Sequence, residues 1–345
     1  MRKKPICLAS DNYTEVHPAV LESLSKVNQG SAPSYGADFS TAEAQRLIQT
    51  AFASSCKVFI TPSGTGANVF ALKLALRRHE SVLCTDIAHI NYQESGAAEY
   101  VIGCKLIAIP HENGKLTPQA VVKRVKIERA FGKHSTSPRV LSITQPTEFG
   151  TVYTLDELQA LSRVCKEENL LLHIDGSRIY NAAAFLNVPL SAITQAASVD
   201  ILALGGTKNG LMCAEAVCIF NKNLEEGSDC IHKQTLQLVS KMRYLSAQFI
   251  PFFNNELWRT LALQANVQAQ KIAAIIAKTP GCTLSFPVQT NQIFFTVPAK
   301  HLSVIQENIQ CYVWDNDKNE IRFVTSWNTS DEDVEAVRAL LCGII

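Results

Sequence analysis

Apolar residues in this chain fall into short unbroken runs and into helical faces, and the two alternate. Val199 to Leu204 and Ala214 to Phe220 are apolar at nearly every position, a pattern of strands covered on both faces. Shorter runs over Lys57 to Thr61, Val82 to Asp86, Cys104 to Pro110, Arg139 to Thr144 and Leu170 to Asp175 also read as strands. Gly64 to Arg78 reads as a helix. Ser40 and Glu43 predict a capping box ahead of Ala44, Leu47, Ile48 and Ala51, which share one helical face. Thr154 and Glu157 predict another, with Leu155, Leu158, Leu161 and Cys165 turned inward. Such alternation implies a parallel sheet with crossover helices.

After an alanine-rich helix from Leu257 to Lys278 the pattern changes. Thr283 to Val288, Gln292 to Val297, Tyr312 to Trp314 and Glu320 to Trp327 read as strands, with helices near His301 to Ile309 and Asp331 to Leu341. The expected organisation is an α/β chain. A large, mostly parallel sheet domain spans 1–245, with an N-terminal arm over 1–30, and a small C-terminal α+β domain, including the connecting helix, spans 246–345.

With 345 residues the chain is long enough for one large core and a second, smaller one. Its 32 basic and 31 acidic residues leave a net charge of +1. No basic run is long enough to track a nucleic-acid backbone or an anionic membrane, so neither is expected as a partner. The eleven cysteines include no Cys-x-x-Cys pair and no Cys/His cluster at zinc spacing. They read as reduced thiols of a cytoplasmic protein, and no metal is expected. Met1-Arg2-Lys3-Lys4-Pro5 is basic, but the apolar stretch after it is too short for a signal peptide.

Candidate chemistry collects at strand ends. Lys208 stands in Gly205-Gly206-Thr207-Lys208-Asn209-Gly210, between two apolar runs; an amine desolvated there loses basicity and becomes available for a Schiff base. Thr61-Pro62-Ser63-Gly64-Thr65-Gly66-Ala67-Asn68 joins a strand to a helix and offers free N–H groups to a phosphate. No Gly-Lys-Ser/Thr follows, which argues against triphosphate hydrolysis. Asp175 ends another strand, with Arg178 three residues on, and His89 follows a third. Pyridoxal phosphate chemistry asks for an amine, a carboxylate to keep the ring nitrogen protonated, and a phosphate cradle. Lys208, Asp175 and Gly64-Thr65 can supply one each. Gly64, Gly66 and Asp86 also admit a dinucleotide reading, although Val69 stands where a third glycine is expected.

Taken in order, Ser10-Asp11-Asn12, Ser34-Tyr35-Gly36-Ala37-Asp38, Ser63-Gly64-Thr65-Gly66-Ala67-Asn68, Ala88-His89-Ile90, His173-Ile174-Asp175-Gly176-Ser177-Arg178 and Gly206-Thr207-Lys208-Asn209-Gly210 resemble the motifs of one family. It is the pyridoxal-phosphate-dependent threonine aldolases of the β-eliminating lyase superfamily. The resemblance implies the aspartate-aminotransferase-like fold, fold type I of such enzymes. It implies that Lys208 forms the Schiff base, Asp175 pairs with the ring nitrogen and His89 stacks on the ring. Gly64 and Thr65 would hold the phosphate, helped by Arg243 across a subunit interface. Ser10, Arg178 and Arg322 would bind the substrate carboxylate, with Arg178 also near the cofactor's phenolic oxygen, and Tyr35 would reach in from a neighbouring subunit. A homotetramer built of dimers that share active sites is implied too.

The expected reaction is cleavage of L-threonine or L-allo-threonine to glycine and acetaldehyde, with His89, or a water it holds, taking the hydroxyl proton. Two features depart from the family pattern. Many relatives carry Ser-Lys-Gly-Leu-Gly around the lysine, and many have a second histidine where this chain has Thr144-Gln145-Pro146-Thr147-Glu148. The alternatives are β-elimination or transamination on the same cofactor, an NAD-dependent oxidoreductase, and a catalytically silent binding protein of the same fold.

Overall fold

The strands form where β-branched and large apolar side chains run together. Along the chain the first eight are Ile6–Cys7 (β1), Lys57–Thr61 (β2), Glu80–Thr85 (β3), Lys105–Ile109 (β4), Ser137–Thr144 (β5), Leu171–Gly176 (β6), Ile201–Leu204 (β7) and Glu215–Ile219 (β8). Five more follow: Thr283–Leu284 (β9), Gln292–Thr296 (β10), Ile309–Gln310 (β11), Tyr312–Asp315 (β12) and Glu320–Val324 (β13). They belong to a computed structural model that describes residues 6–343. The basic start, Met1 to Pro5, lies outside the described residues.

One sheet of seven strands has the order β2-β8-β7-β6-β5-β3-β4. Neighbours from β7 to β4 are parallel, but β8 runs against both of its neighbours. That reversal departs from a purely parallel reading of the alternation, and chain length explains it. The connection Gly205–Ala214 holds only one 3₁₀ turn, Thr207–Asn209, whereas a parallel crossover needs about a dozen residues or more, usually a helix.

Both faces of this sheet are covered. Leu202 and Leu204 of β7 join the main core with Ile174, Leu172 and Leu141, while Ile201 and Ala203 face Phe59, Phe70 and Val217 on the other side. Alternate residues of a strand point to opposite faces, so burial on both demands an unbroken apolar run. A fully buried side chain such as Phe70 contributes roughly 1.5–3 kcal/mol over an exposed one.

The smaller sheet is antiparallel, in the order β12-β13-β10-β9. Helix Leu257–Ile276 serves both cores, with Trp258, Leu261 and Ala262 in the large one and Ala269, Ile272 and Ile276 in the small one. The chain's start is tied to the small sheet, since β1 pairs with β11 and Val324 N donates to Leu8 O at 2.8 Å. From there Ala9 to Asn12 crosses toward the large sheet.

Local details correct several expectations. The helix after residue 38 starts at Phe39, two residues earlier than a Ser40 cap requires. Its cap is Asp38, whose Oδ1 accepts from Thr41 N at 2.9 Å, while Glu43 pairs with Arg46 instead. The Thr154–Glu157 capping box is present. The helix from Gly64 stops at Ala75, because Leu76 is already extended. The strand expected over Thr283 to Val288 ends at Leu284, short of Pro287, which has no N–H for a ladder.

Candidate active site

Parallel strands put their C-terminal ends on one edge, and open α/β sheets bind ligands there. Here the turns after β2, β3, β6 and β7 meet at that edge, and reversed β8 brings its first residue, Glu215, to the same place. Together they bound a cavity of about 280 Å³, walled by Ser63, Gly64, Thr65, Asn68, His89, Glu94, Asp175, Lys208 and Glu215 among others.

The turn after β2 is shaped for an anion. Ser63 Oγ accepts from Gly66 N at 3.2 Å and caps helix Gly64–Ala75. Capping leaves the first N–H groups of that helix, Gly64 and Thr65, without intrahelical acceptors, at the positive end of its dipole. A Cβ at Gly66 would stand 2.1 Å from Gln237 Oε1, so a side chain there needs the Gln237 amide to move aside.

Asp175 closes β6 with its carboxylate held from two sides. Asn68 Nδ2 donates to Oδ2 at 2.9 Å and Ser177 N to Oδ1 at 3.0 Å. Burial pushes the carboxyl up, but the His89 ring, the Asn68 bond and the Lys208 charge outweigh it, so Asp175 stays below the usual carboxylate range. Asn68 Nδ2 also donates to Glu94 Oε1 at 3.0 Å, and the same oxygen lies 2.8 Å from His89 Nδ1. A continuous polar chain therefore runs Asp175–Asn68–Glu94–His89. The backbone of His89 is fixed separately, through its N–H to Glu148 Oε1 at 2.9 Å, and Thr144 Oγ1 donates to that same oxygen at 2.6 Å.

Lys208 sits on the short turn after β7. Gly205 and Gly206 admit it there, because a Cβ on either would come within 2.3 Å of a carbonyl oxygen, Ser177 O or Ala214 O. Burial and then the Arg178 guanidinium lower the basicity of its amine, against the pull of Asp11, Asp175 and Glu215. Lowered basicity favours the neutral, nucleophilic form of the amine.

Next to the cavity lies a pair of arginines. Arg178 forks onto Asp11, Nε to Oδ2 at 2.6 Å and Nη2 to Oδ1 at 2.9 Å, and Asn291 Nδ2 donates to Asp11 Oδ2 at 3.0 Å. Arg322 has no such carboxylate fork. Its Nη2 donates to Ala9 O at 3.2 Å, its guanidinium lies over the rings of Tyr312 and Trp314 at 5.2 and 5.1 Å, and its Nε is buried without a partner. Burial, then Arg178, bring its pKa down to about 10. Ser10, whose Oγ accepts from Asn12 N at 3.2 Å, stands on the same crossing segment. A cation short of an acceptor beside a second cation is suited to a carboxylate.

The beta-eliminating lyase family model matches residues 8–300. The low specificity L-threonine aldolase of Pseudomonas sp. (strain NCIMB 10558) is 39% identical over 332 residues, 96% of this chain and 95% of that protein. The chain belongs to the beta-eliminating lyase family, among its threonine aldolases. The low specificity L-threonine aldolase of Escherichia coli K12 is 29% identical over 191 residues, 55% of this chain and 56% of that one. Among solved structures, the Leishmania major threonine aldolase superposes with a TM-score of 0.94 at 29% identity, covering 99% of both chains. An aspartate aminotransferase from Rhodobacter sphaeroides shares the fold, with a TM-score of 0.72 at 11% identity over 100% of this chain and 92% of that one.

Family membership leaves each residue to be placed. The cavity brings together Gly64, Thr65, His89, Asp175 and Lys208, while Ser10, Arg178 and Arg322 gather on the Ala9–Asn12 crossing. Tyr35 and Arg243 lie elsewhere on the protomer. Tyr35 is half exposed, with Lys233 Nζ 4.3 Å over its ring, and Arg243 Nη1 donates to Gly30 O at 3.1 Å. Asp86 accepts from Ile87 N and lies 3.6 Å from His111, outside the cavity lining. Sequence reasoning gave no role to Asp11, Asn68, Glu94, Glu148, Glu215 or Asn291. Asp11 and Asn68 lie inside recognised motifs, and Glu94 follows His89 by little more than a helical turn.

Proposed function

We propose that this protein cleaves L-threonine and L-allo-threonine to glycine and acetaldehyde, using Lys208, Asp175 and His89. Members of this family depend on pyridoxal 5′-phosphate. The observation that carries the residue assignment is a desolvated lysine and an ionised, hydrogen-bonded aspartate on the walls of one cavity that also holds a capped helix N-terminus. Those residues fit the cofactor: Ser63, Gly64 and Thr65 would hold its phosphate, Asp175 its ring nitrogen and Lys208 its aldehyde carbon. When bound, the cofactor supplies a ring that withdraws electrons from the substrate's Cα.

The chain's own residues then orient and move protons. Asp175 remains charged and keeps a proton on the ring nitrogen. Arg322, short of an acceptor at Nε, takes the substrate carboxylate with Ser10 and Arg178, and so fixes which Cα bond stands across the ring. His89, held by Glu94 through its side chain and by Glu148 through its backbone, accepts the β-hydroxyl proton directly or through a water.

Dimers that share sites, paired into tetramers, would bring Tyr35 and Arg243 to a neighbour's cavity. The exposure of Tyr35 at 50% and Leu236 at 83% supports a covered face there. All eleven cysteines are free, which supports a cytoplasmic setting. No helix among the described residues is long and apolar enough to cross a membrane.

The test is product analysis. Purified enzyme with threonine should yield glycine and acetaldehyde in equal amounts, and Lys208→Ala should yield neither. Pyruvate and ammonia from serine, without aldehyde from threonine, would assign β-elimination instead.

A further inference from the structure

One group in the cavity runs against its chemistry. The site is built for a dianion, yet Glu215 stands on its wall. Reversed β8 puts it there: Glu215 is the cross-strand partner of Thr61, the residue immediately before Pro62-Ser63-Gly64-Thr65, and both the turn and the carboxyl border the same space. Glu215 Oε2 accepts from Gly206 N at 2.6 Å, so the carboxyl is also fastened to the turn that carries Lys208. It is 7% exposed. A fixed carboxylate beside a phosphate, away from bulk water, is a like-charge contact that neither group can leave.

We propose that Glu215 is the proton-accepting group of the cavity: ionised opposite Lys208 when no anion is present, and protonated from solvent when a phosphate settles on the Ser63–Thr65 turn. The inference rests on the phosphate placement proposed above. Once protonated, Glu215 still accepts from Gly206 N and gains an O–H to offer the phosphate, so repulsion becomes a hydrogen bond.

The surrounding groups agree with this. Burial lifts the Glu215 carboxyl to about 7, against the bonds from Thr207 and Gly206 and the charge of Lys208. The lysine turn contributes Lys208 and the Thr207 hydroxyl. Helix Ile179–Leu186 contributes the buried phenol of Tyr180, which Glu215 helps to hold protonated. The phosphate turn brings only hydroxyls and N–H groups; Asp175, His89, Glu94 and Cys213 also line the cavity, and none of them is among the groups that set the Glu215 carboxyl. Lys208 is the only lysine or arginine of this chain among the cavity's lining residues; a neighbour's Arg243 would offset part of an added dianion's charge, and the remainder shifts the balance toward a protonated carboxyl.

Sulfate is the probe, because it is a dianion that carries no titrating proton near neutrality. Calorimetry of apoenzyme with sulfate at pH 7.5, in buffers of different ionisation enthalpy, counts protons taken up on binding. Uptake of about half to one proton per site is expected for the native protein and clearly less for Glu215→Gln, which keeps an acceptor for Gly206 N and leaves Lys208 to gain a proton. Sulfate affinity should fall up to about tenfold per pH unit above 7 in the native protein and less steeply in Glu215→Gln, where Lys208 alone of the pair titrates. The native protein should also gain a protonated-carboxyl band in its infrared difference spectrum on binding, which tests the inference even if Glu215→Gln does not fold. Binding without proton uptake overturns the role of Glu215 alone. Binding that Ser63→Ala and Thr65→Ala leave undiminished overturns the phosphate placement, and this inference with it.

Discussion

Asn68 donates its side-chain N–H to Asp175 Oδ2 at 2.9 Å. The same nitrogen bonds Glu94, so one neutral amide separates two buried carboxylates. Replacing Asn68 with Asp sets a third carboxylate between them and removes the donor. Asp175 should then hold a proton more readily and lose its grip on the cofactor's ring nitrogen. A loss of about ten- to a hundredfold in cofactor affinity is expected, roughly 1.4–2.8 kcal/mol. Fluorescence titration of the apoprotein measures it, and native affinity in Asn68→Asp would remove Asn68 from the network.

The fork between Arg178 and Asp11 is nearly inaccessible on the Asp11 side, at 1%. Asp11→Ala leaves a largely buried guanidinium without its hydrogen-bonded counter-ion, with only the more distant charges of Asp175 and Glu148 to offset it. Breaking such a pair from one side costs about 3–5 kcal/mol, so urea unfolding should move by that order. A change under about 1 kcal/mol would mean that substrate-free Arg178 has water or another carboxylate at hand.

Glu148 reaches His89 only through the backbone. Glu148→Ala should lower kcat by about tenfold or more, with cofactor affinity nearly unchanged. Glu148→Gln, which keeps an acceptor, should recover most of the rate. Equal defects in Ala and Gln variants would instead make the charge of Glu148 the operative feature.

His173 is buried and neutral. Its Nδ1 lies 2.8 Å from Ser142 Oγ, its Nε2 has no partner, and burial takes the imidazole down to about 4 from 6.5. Below pH 6.5 the unfolded chain binds a proton at this position that the folded chain refuses. The contribution of His173 to stability is therefore complete above pH 6.5 and declines toward pH 4, by about 3 kcal/mol in all. Unfolding followed between pH 7 and 4 should be less pH-dependent in His173→Asn by that order; parallel curves would contradict it.

The legible parts of this molecule were those written in local sequence. Unbroken apolar runs marked both faces of β7 as covered, and the glycines around Lys208 marked a tight turn. Patterning marks β8 as a strand but not its direction, because strand patterning is the same in either direction and only the length of the connection decides it. Ser40 has the right spacing to Glu43 for a cap, yet Asp38 lies two residues earlier with an equally good oxygen. The carboxylates around the site were hardest to see. Glu94 and Glu148 each combine a partner within five residues with one far away in the chain, Asn68 and His89 respectively, and Glu215 bonds Gly206 nine residues earlier; nothing in the residues beside them says that they are buried.

The reversal of β8 also affects the order in which the site can form. Lys208 and Glu215 belong to a single hairpin, so little chain entropy is lost in bringing them together. Asp175 and Asn68 are 107 positions apart, and contacts of that range close late. Lys208 and Glu215 are therefore made neighbours by ten residues of local chain, whereas Asp175 meets Asn68 only when distant segments of the large sheet domain pack together.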